Sequence, residues 1–87
     1  MNVDVISQML NEIQNDRTVP KNVRELIQTV IETLRKSNVE DNIKISTSVS
    51  ILDEVSNDSN IPIYTRTQVW NIVSMLESME AMQRYHK

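Results

Sequence analysis

The chain has no glycine and no cysteine in 87 residues, and a single histidine. Loops that cradle phosphate, and most sharp β-turns, need backbone at positive φ, which glycine supplies without steric cost. Their absence removes the P-loop and the dinucleotide fingerprint together. Turns must instead be made by Asn, Asp, Ser and the two prolines. Without cysteine there is neither a disulfide framework nor a thiolate metal site. No apolar run approaches the 18 residues of a membrane span. Met1 to Asp4 lack the basic start and apolar core of a signal peptide. The expectation is one cytoplasmic domain over residues 1–87, with no membrane association.

Positive charge is also sparse. The net charge is −3. Residues 1–37 carry five acids and five bases, and residues 38–87 carry seven acids and four bases. The longest basic cluster is Arg35-Lys36. Duplex binding draws its affinity largely from neutralised phosphates, so nucleic acid is disfavoured as a partner.

What the chain does have is a near-repetition of itself. Met9 to Pro20 match Ile51 to Pro62 at a constant offset of 42. The match continues through Arg24 with Arg66, Ile27 with Val69, Val30 with Ile72, Ile31 with Val73, and Leu34 with Leu76. Apolar residues at Val3, Ile6, Met9/Leu10 and Ile13 recur at helical spacing and predict a helix over about 2–15. Val23, Leu26/Ile27, Val30/Ile31 and Leu34 predict a second, over about 20–37, with Pro20 in its first turn. Ser37 and Glu40 have capping-box spacing, so a third helix is expected to begin near 38 and run to about 57. A fourth, about 62–84, opens at Pro62 and places Val69, Ile72, Val73 and Leu76 within a roughly 100° arc.

The third helix carries a conflict. Ile43, Ile45, Thr47, Val49 and Ile51 alternate with polar residues at the period of a half-exposed strand. The helical reading instead places Ile45, Val49, Leu52 and Val55 on one face. Helix is favoured, because the repeat aligns 45–55 with the clearer helix at 3–13 and a lone strand would lack a partner. The expected architecture is therefore all-α: a four-helix up-and-down antiparallel bundle built from two αα-hairpins. Two hairpins are too few for an open solenoid, so they should close on each other or leave an apolar face for a second subunit.

Residues 50–77, from Ser50 through Asp58, Pro62, Arg66 and Trp70 to Glu77, closely resemble the signature of the archaeal uncharacterised protein family 0147. A looser, collinear likeness covers most of the rest, including Val19, Pro20, Asn22, Val23 and Arg24. The family pattern has proline where this chain has Ser59, and more alanine in the third helix. The second departure produces the strand-like look of 43–51. The resemblance implies a four-helix bundle in an archaeal cytoplasm, and it implies no activity.

No catalytic set emerges. His86 stands one residue from the last, where a solvated tail side chain is favoured over a positioned base. Asp53, Glu54 and Asp58 would form a hard-cation site only if they converged, but Asp53 and Glu54 point about 100° apart on a helix and Asp58 suits a turn. The expectation is no enzyme, no metal and no cofactor.

Arg24 and Arg66 stand in first helical turns, where the macrodipole opposes positive charge. A structural clamp follows as an expectation, Arg24 to Glu12 or Asp16 and Arg66 to Glu54 or Asp58. Ligand-anion recognition by Arg66 is the less favoured alternative. Trp70 lies about 100° from the centre of the core face, beside Ile63, Arg66 and Glu77. It is either a rim residue of the core, which is favoured, or the anchor of an interface. Met75, Met79 and Met82 read as core filling rather than a docking stripe. The leading functional expectation is a non-catalytic helical interaction module using Ile63, Arg66, Trp70 and Glu77, with another protein or a second copy as partner. The rival is a small accessory of an RNA-containing machine such as the translation apparatus, contacting RNA through Arg17, Lys21, Arg24, Arg35 and Lys36. An enzyme built on carboxylates and arginine comes last.

Overall fold

The computed structural model describes residues 3–85, with side chains placed through Met82. Four helices follow one another with no strand among the described residues: α1 (Asp4–Gln14), α2 (Lys21–Arg35), α3 (Asp41–Ser56) and α4 (Ile63–Tyr85). α1 packs on α2, α2 on α3, α3 on α4, and α4 back on α1. The whole measures 42 × 22 × 19 Å, and α4, the longest helix, rises about 34 Å over its 23 residues.

The strand-like alternation at 43–51 lies within α3. The helix satisfies its backbone groups internally, and its apolar positions Ile45, Leu52 and Val55 reach the core at 3.6-residue spacing. Ser48 fills the remaining inward position and is fully buried; Val49 is half-buried beside it. The alternating residues Ile43 and Thr47 face solvent.

The core is continuous from Ile6, Leu10 and Ile13 of α1 through Val23, Ile27, Val30 and Leu34 of α2 to Val69, Ile72 and Leu76 of α4. Val19 and Ile61, each just before a proline, seal it from the loops. Positions 42 apart are buried alike: Leu10 and Leu52, Ile13 and Val55, Val19 and Ile61, Ile27 and Val69, Val30 and Ile72, Leu34 and Leu76.

The helix ends bear out the lack of glycine. No described residue has a positive φ. Asn15 and Asn57 close α1 and α3 in right-handed conformation, and the next residues turn out through three-residue bonds, Asp16 N–H to the Ile13 carbonyl and Asp58 N–H to that of Val55. An Asx turn then tightens each loop: the Asp16 carboxylate accepts from the Thr18 N–H at 2.9 Å, and that of Asp58 from the Asn60 N–H at 2.8 Å.

Two local expectations change. Pro20 is the residue before α2, at φ −56° and ψ 148°, rather than part of its first turn; its carbonyl accepts from Val23 and Arg24 N–H. The capping box at Ser37–Glu40 does not form. Glu40 is itself extended at the N-cap, so α3 starts at Asp41, whose carboxylate favours the positive helix end and lies 3.9 Å from the Lys44 ammonium.

Candidate interaction surface

Two features of α4 define the surface. The first is the clamp at its start. Arg66 reaches across the loop to α3, donating from Nε to the Ser56 carbonyl at 3.0 Å and from Nη2 to the Asp58 carbonyl at 2.9 Å. The expected partners, the Glu54 and Asp58 carboxylates, are not the ones it uses. The end of α3 offers carbonyls with no intrahelical donor and a negative dipole, and a planar guanidinium fork satisfies that of Ser56 together with the Asp58 carbonyl of the loop that follows. Arg24 does not copy this arrangement. Its Nε is buried without a hydrogen-bond partner among the described residues, and its main-chain N–H bonds to the Pro20 carbonyl. Asp16 accepts instead from Thr18, whose hydroxyl lies at 2.6 Å, and from the Tyr64 phenol. Those bonds hold the Asp16 carboxyl below its ordinary range, Thr18 contributing most and Tyr64 next. The same bond to Asp16 raises the Tyr64 phenol, with burial adding to it. Tyr64 was not singled out from the sequence; the signal lay in its position, 42 after Asn22, where a large aromatic replaces a small polar residue.

The second feature is the outer face. Trp70 is 56 % exposed and Ile63 80 % exposed, seven residues and about 10 Å apart on the same side of α4. The core-edge reading of Trp70 is thereby overturned. At 100° per residue its side chain lies about a right angle or more from Val69, Ile72 and Leu76, the residues of α4 that the packing buries completely. Thr67, Ser74 and Glu77 complete the exposed strip. The positions 42 earlier on α2 are Lys21, Glu25, Gln28, Glu32 and Arg35. Four of those five α2 residues are charged, whereas in the α4 strip Ile63, Thr67, Trp70, Ser74 and Glu77 only Glu77 is. Matching positions on the two helices are thus covered by charge in one case and by bulk apolar groups in the other.

The remaining candidates separate. Met75 and Met79 pack half-buried against the core, while Met82 is exposed. Asp53 and Glu54 face solvent and do not gather with Asp58; no three acidic or histidine side chains converge on a metal-sized site among the described residues. His86 lies outside the described residues. Lys21 and Arg35 stand at opposite ends of α2, about 21 Å apart with Glu25 and Glu32 between, so the basic residues form no single patch. An open groove of about 500 Å³ beside Arg35 is lined by Asn11, Gln28, Ile31, Glu32 and Lys36, a mixed-charge wall. Among the described residues no helix is long and apolar enough to cross a membrane.

These features define an all-helical protein whose most distinctive surface is an apolar, charge-poor helix face. The chain belongs to the uncharacterised protein family UPF0147, whose pattern it matches over residues 2–79. It is 45 % identical over 75 residues to a UPF0147 protein of Methanocaldococcus jannaschii, covering 86 % of this chain and 81 % of that one. A UPF0147 protein of Methanothermobacter thermautotrophicus is 45 % identical over 74 residues, covering 85 % of this chain and 72 % of its own. Among solved structures, MMP1188, a protein of unknown function, superposes with a TM-score of 0.82 at 43 % identity, covering 86 % of this chain and 85 % of that one. A UPF0147 protein of Thermoplasma acidophilum does so with a TM-score of 0.82 at 37 % identity, covering 86 % and 88 %.

Proposed function

We propose that this protein is a non-catalytic helical interaction module of the cytoplasm, a single domain that binds another protein chain through the outer face of α4. The observation that carries this reading is the contrast between Ile63 and Trp70 and the residues 42 earlier, Lys21 and Gln28. The helical framework is satisfied by polar residues at those positions on α2, so core packing gives no reason for an isoleucine and a tryptophan on α4. Interface centres are depleted in charge and enriched in tryptophan, which is the composition of this strip.

The scaffold in this reading is an up-and-down antiparallel bundle of two αα-hairpins, the 42-residue spacing being an internal repeat. Support comes from the ring of contacts α1–α2–α3–α4–α1, from connections of five or six residues, and from burial that recurs at the same offset. The Tyr64–Asp16 bond, which joins the start of α4 to the α1–α2 loop, fits the same arrangement.

The test is a native pull-down of the tagged protein from its own lysate, beside Trp70→Ala and a nuclease-treated duplicate. Co-purification of one stoichiometric chain that is lost with Trp70→Ala supports the module. Capture of ribosomal proteins that disappears on nuclease treatment would transfer the assignment to an RNA-containing machine.

A further inference from the structure

The strip on α4 is not uniform along its length. Its first half carries the bulk, in Ile63 and Trp70, and is edged by the positive charge of Arg66. Its second half carries small residues and the negative charge, in Ser74, Glu77 and Ala81. All but Arg66, which is half-buried, are exposed. Arg66 uses Nε and Nη2 on the α3–α4 loop, which leaves Nη1 unpaired among the described residues.

A face whose two halves are complementary to each other in size and sign suits one partner above others. An antiparallel copy of the same helix brings the first half of one strip against the second half of the other. A two-fold axis beside Ile72 sets each residue i opposite the partner's residue 144 − i. Trp70 then meets Ser74 of the partner subunit, and Ile63 meets the partner's Ala81: a large side chain over a small one at both levels. Thr67 meets the partner's Glu77, which places that carboxylate one residue from the level of Arg66. A parallel copy would instead set Trp70 against tryptophan and arginine against arginine.

We infer that the outer face of α4 binds a second copy of this chain, in an isologous antiparallel helix pair centred on Ile72 with Trp70 over the partner's Ser74. Such a contact is closed, because the same patch serves both subunits. The inference rests on the interaction-module reading and names the occupant of that surface.

Trp70 is the chain's one tryptophan, so it reports directly on the contact. Sedimentation equilibrium and intrinsic fluorescence are followed together over a dilution series. The expected result is a monomer–dimer equilibrium, with tryptophan emission moving to shorter wavelength as the dimer forms. Trp70→Ser abolishes the dimer, and Ser74→Trp does the same by setting two bulky groups face to face. The double exchange, Trp70→Ser with Ser74→Trp, restores it, since large again faces small. All of these positions are exposed, and circular dichroism checks that each variant keeps its helices.

A wild-type chain that stays monomeric with unshifted emission overturns the inference. So does a dimer that persists in both single variants, or a double exchange that remains monomeric. The pull-down then separates the two readings. A monomer that still captures a different protein through Trp70 keeps the interaction module and loses the second copy. One that captures nothing removes both.

Discussion

The Tyr64 phenol donates a hydrogen bond to the Asp16 carboxylate, tying the first turn of α4 to the loop between α1 and α2 across 48 residues of sequence. Together with the larger effect of the Thr18 bonds, this bond holds the Asp16 carboxyl below the ordinary carboxylate range, and it raises the Tyr64 phenol above the ordinary tyrosine value. The two shifts give a pH dependence of defined sign. A depressed Asp16 contributes stability that is present above its unfolded value and lost as pH falls through the folded one, in the acid range below about 4. A raised Tyr64 contributes stability that is complete below about 10 and lost as pH rises through the folded value. Spectrophotometric titration at the phenolate band should show a tyrosine ionising later in the folded than in the unfolded chain. Tyr64→Phe should remove that component and weaken the acid-side dependence in chemical denaturation. A Tyr64 that ionises in the folded wild-type chain where it does in the unfolded one would show that the bond does not hold in solution.

The two arginines at matching positions should behave differently. Arg66→Ala removes two charge-assisted bonds to α3 and loop carbonyls, and should cost about 1–3 kcal/mol in urea unfolding. Arg24→Met removes a buried Nε that has no partner among the described residues, and should leave stability unchanged or raise it by up to about 1 kcal/mol. Equal losses from both substitutions would mean that Arg24 is tied down as Arg66 is.

Ile45 is fully buried on α3, so Ile45→Ala should destabilise by about 2–5 kcal/mol through lost transfer energy and the cavity left behind. Each kcal/mol corresponds to about 4–8 °C in Tm for a domain of this size. Ile43, half exposed on the opposite side of the same helix, should tolerate Ile43→Ala within about 0.5 kcal/mol. Calorimetry of the pair measures which period governs the segment. A strand-like register, with both residues on one face, would make the two costs similar.

Trp70→Ser and Ile63→Ser should change the stability of the monomer by no more than about 0.5 kcal/mol, because these side chains leave the core intact. Thermal unfolding at low protein concentration is the check. A loss above about 2 kcal/mol would place Trp70 in the core rather than on a binding surface.

Much of the fold was legible before any coordinates. Ile6, Leu10 and Ile13, or Val69, Ile72 and Leu76, recur at a spacing that only a helix brings to one side. The residue match at an offset of 42 then allowed the clearer α1 to arbitrate the ambiguous α3. The site was less legible, for two different reasons. The Arg66 acceptors are main-chain carbonyls, which every residue type carries, so no side-chain pattern could reveal them. Trp70 is apolar enough for either a core or an interface, and its angle on the helix left both open.

The sequence by itself determined the helical segments, most of the buried face of each, and the absence of glycine-built loops, because these follow from short-range spacing and from what one residue's backbone can do. Only the tertiary structure decided which groups meet between elements. The fork of Arg66 on α3, the bond from Tyr64 to Asp16 and the outward direction of Trp70 depend on how helices are rotated against one another. That rotation is settled by the packing of the whole core, in which no single stretch of chain holds the information.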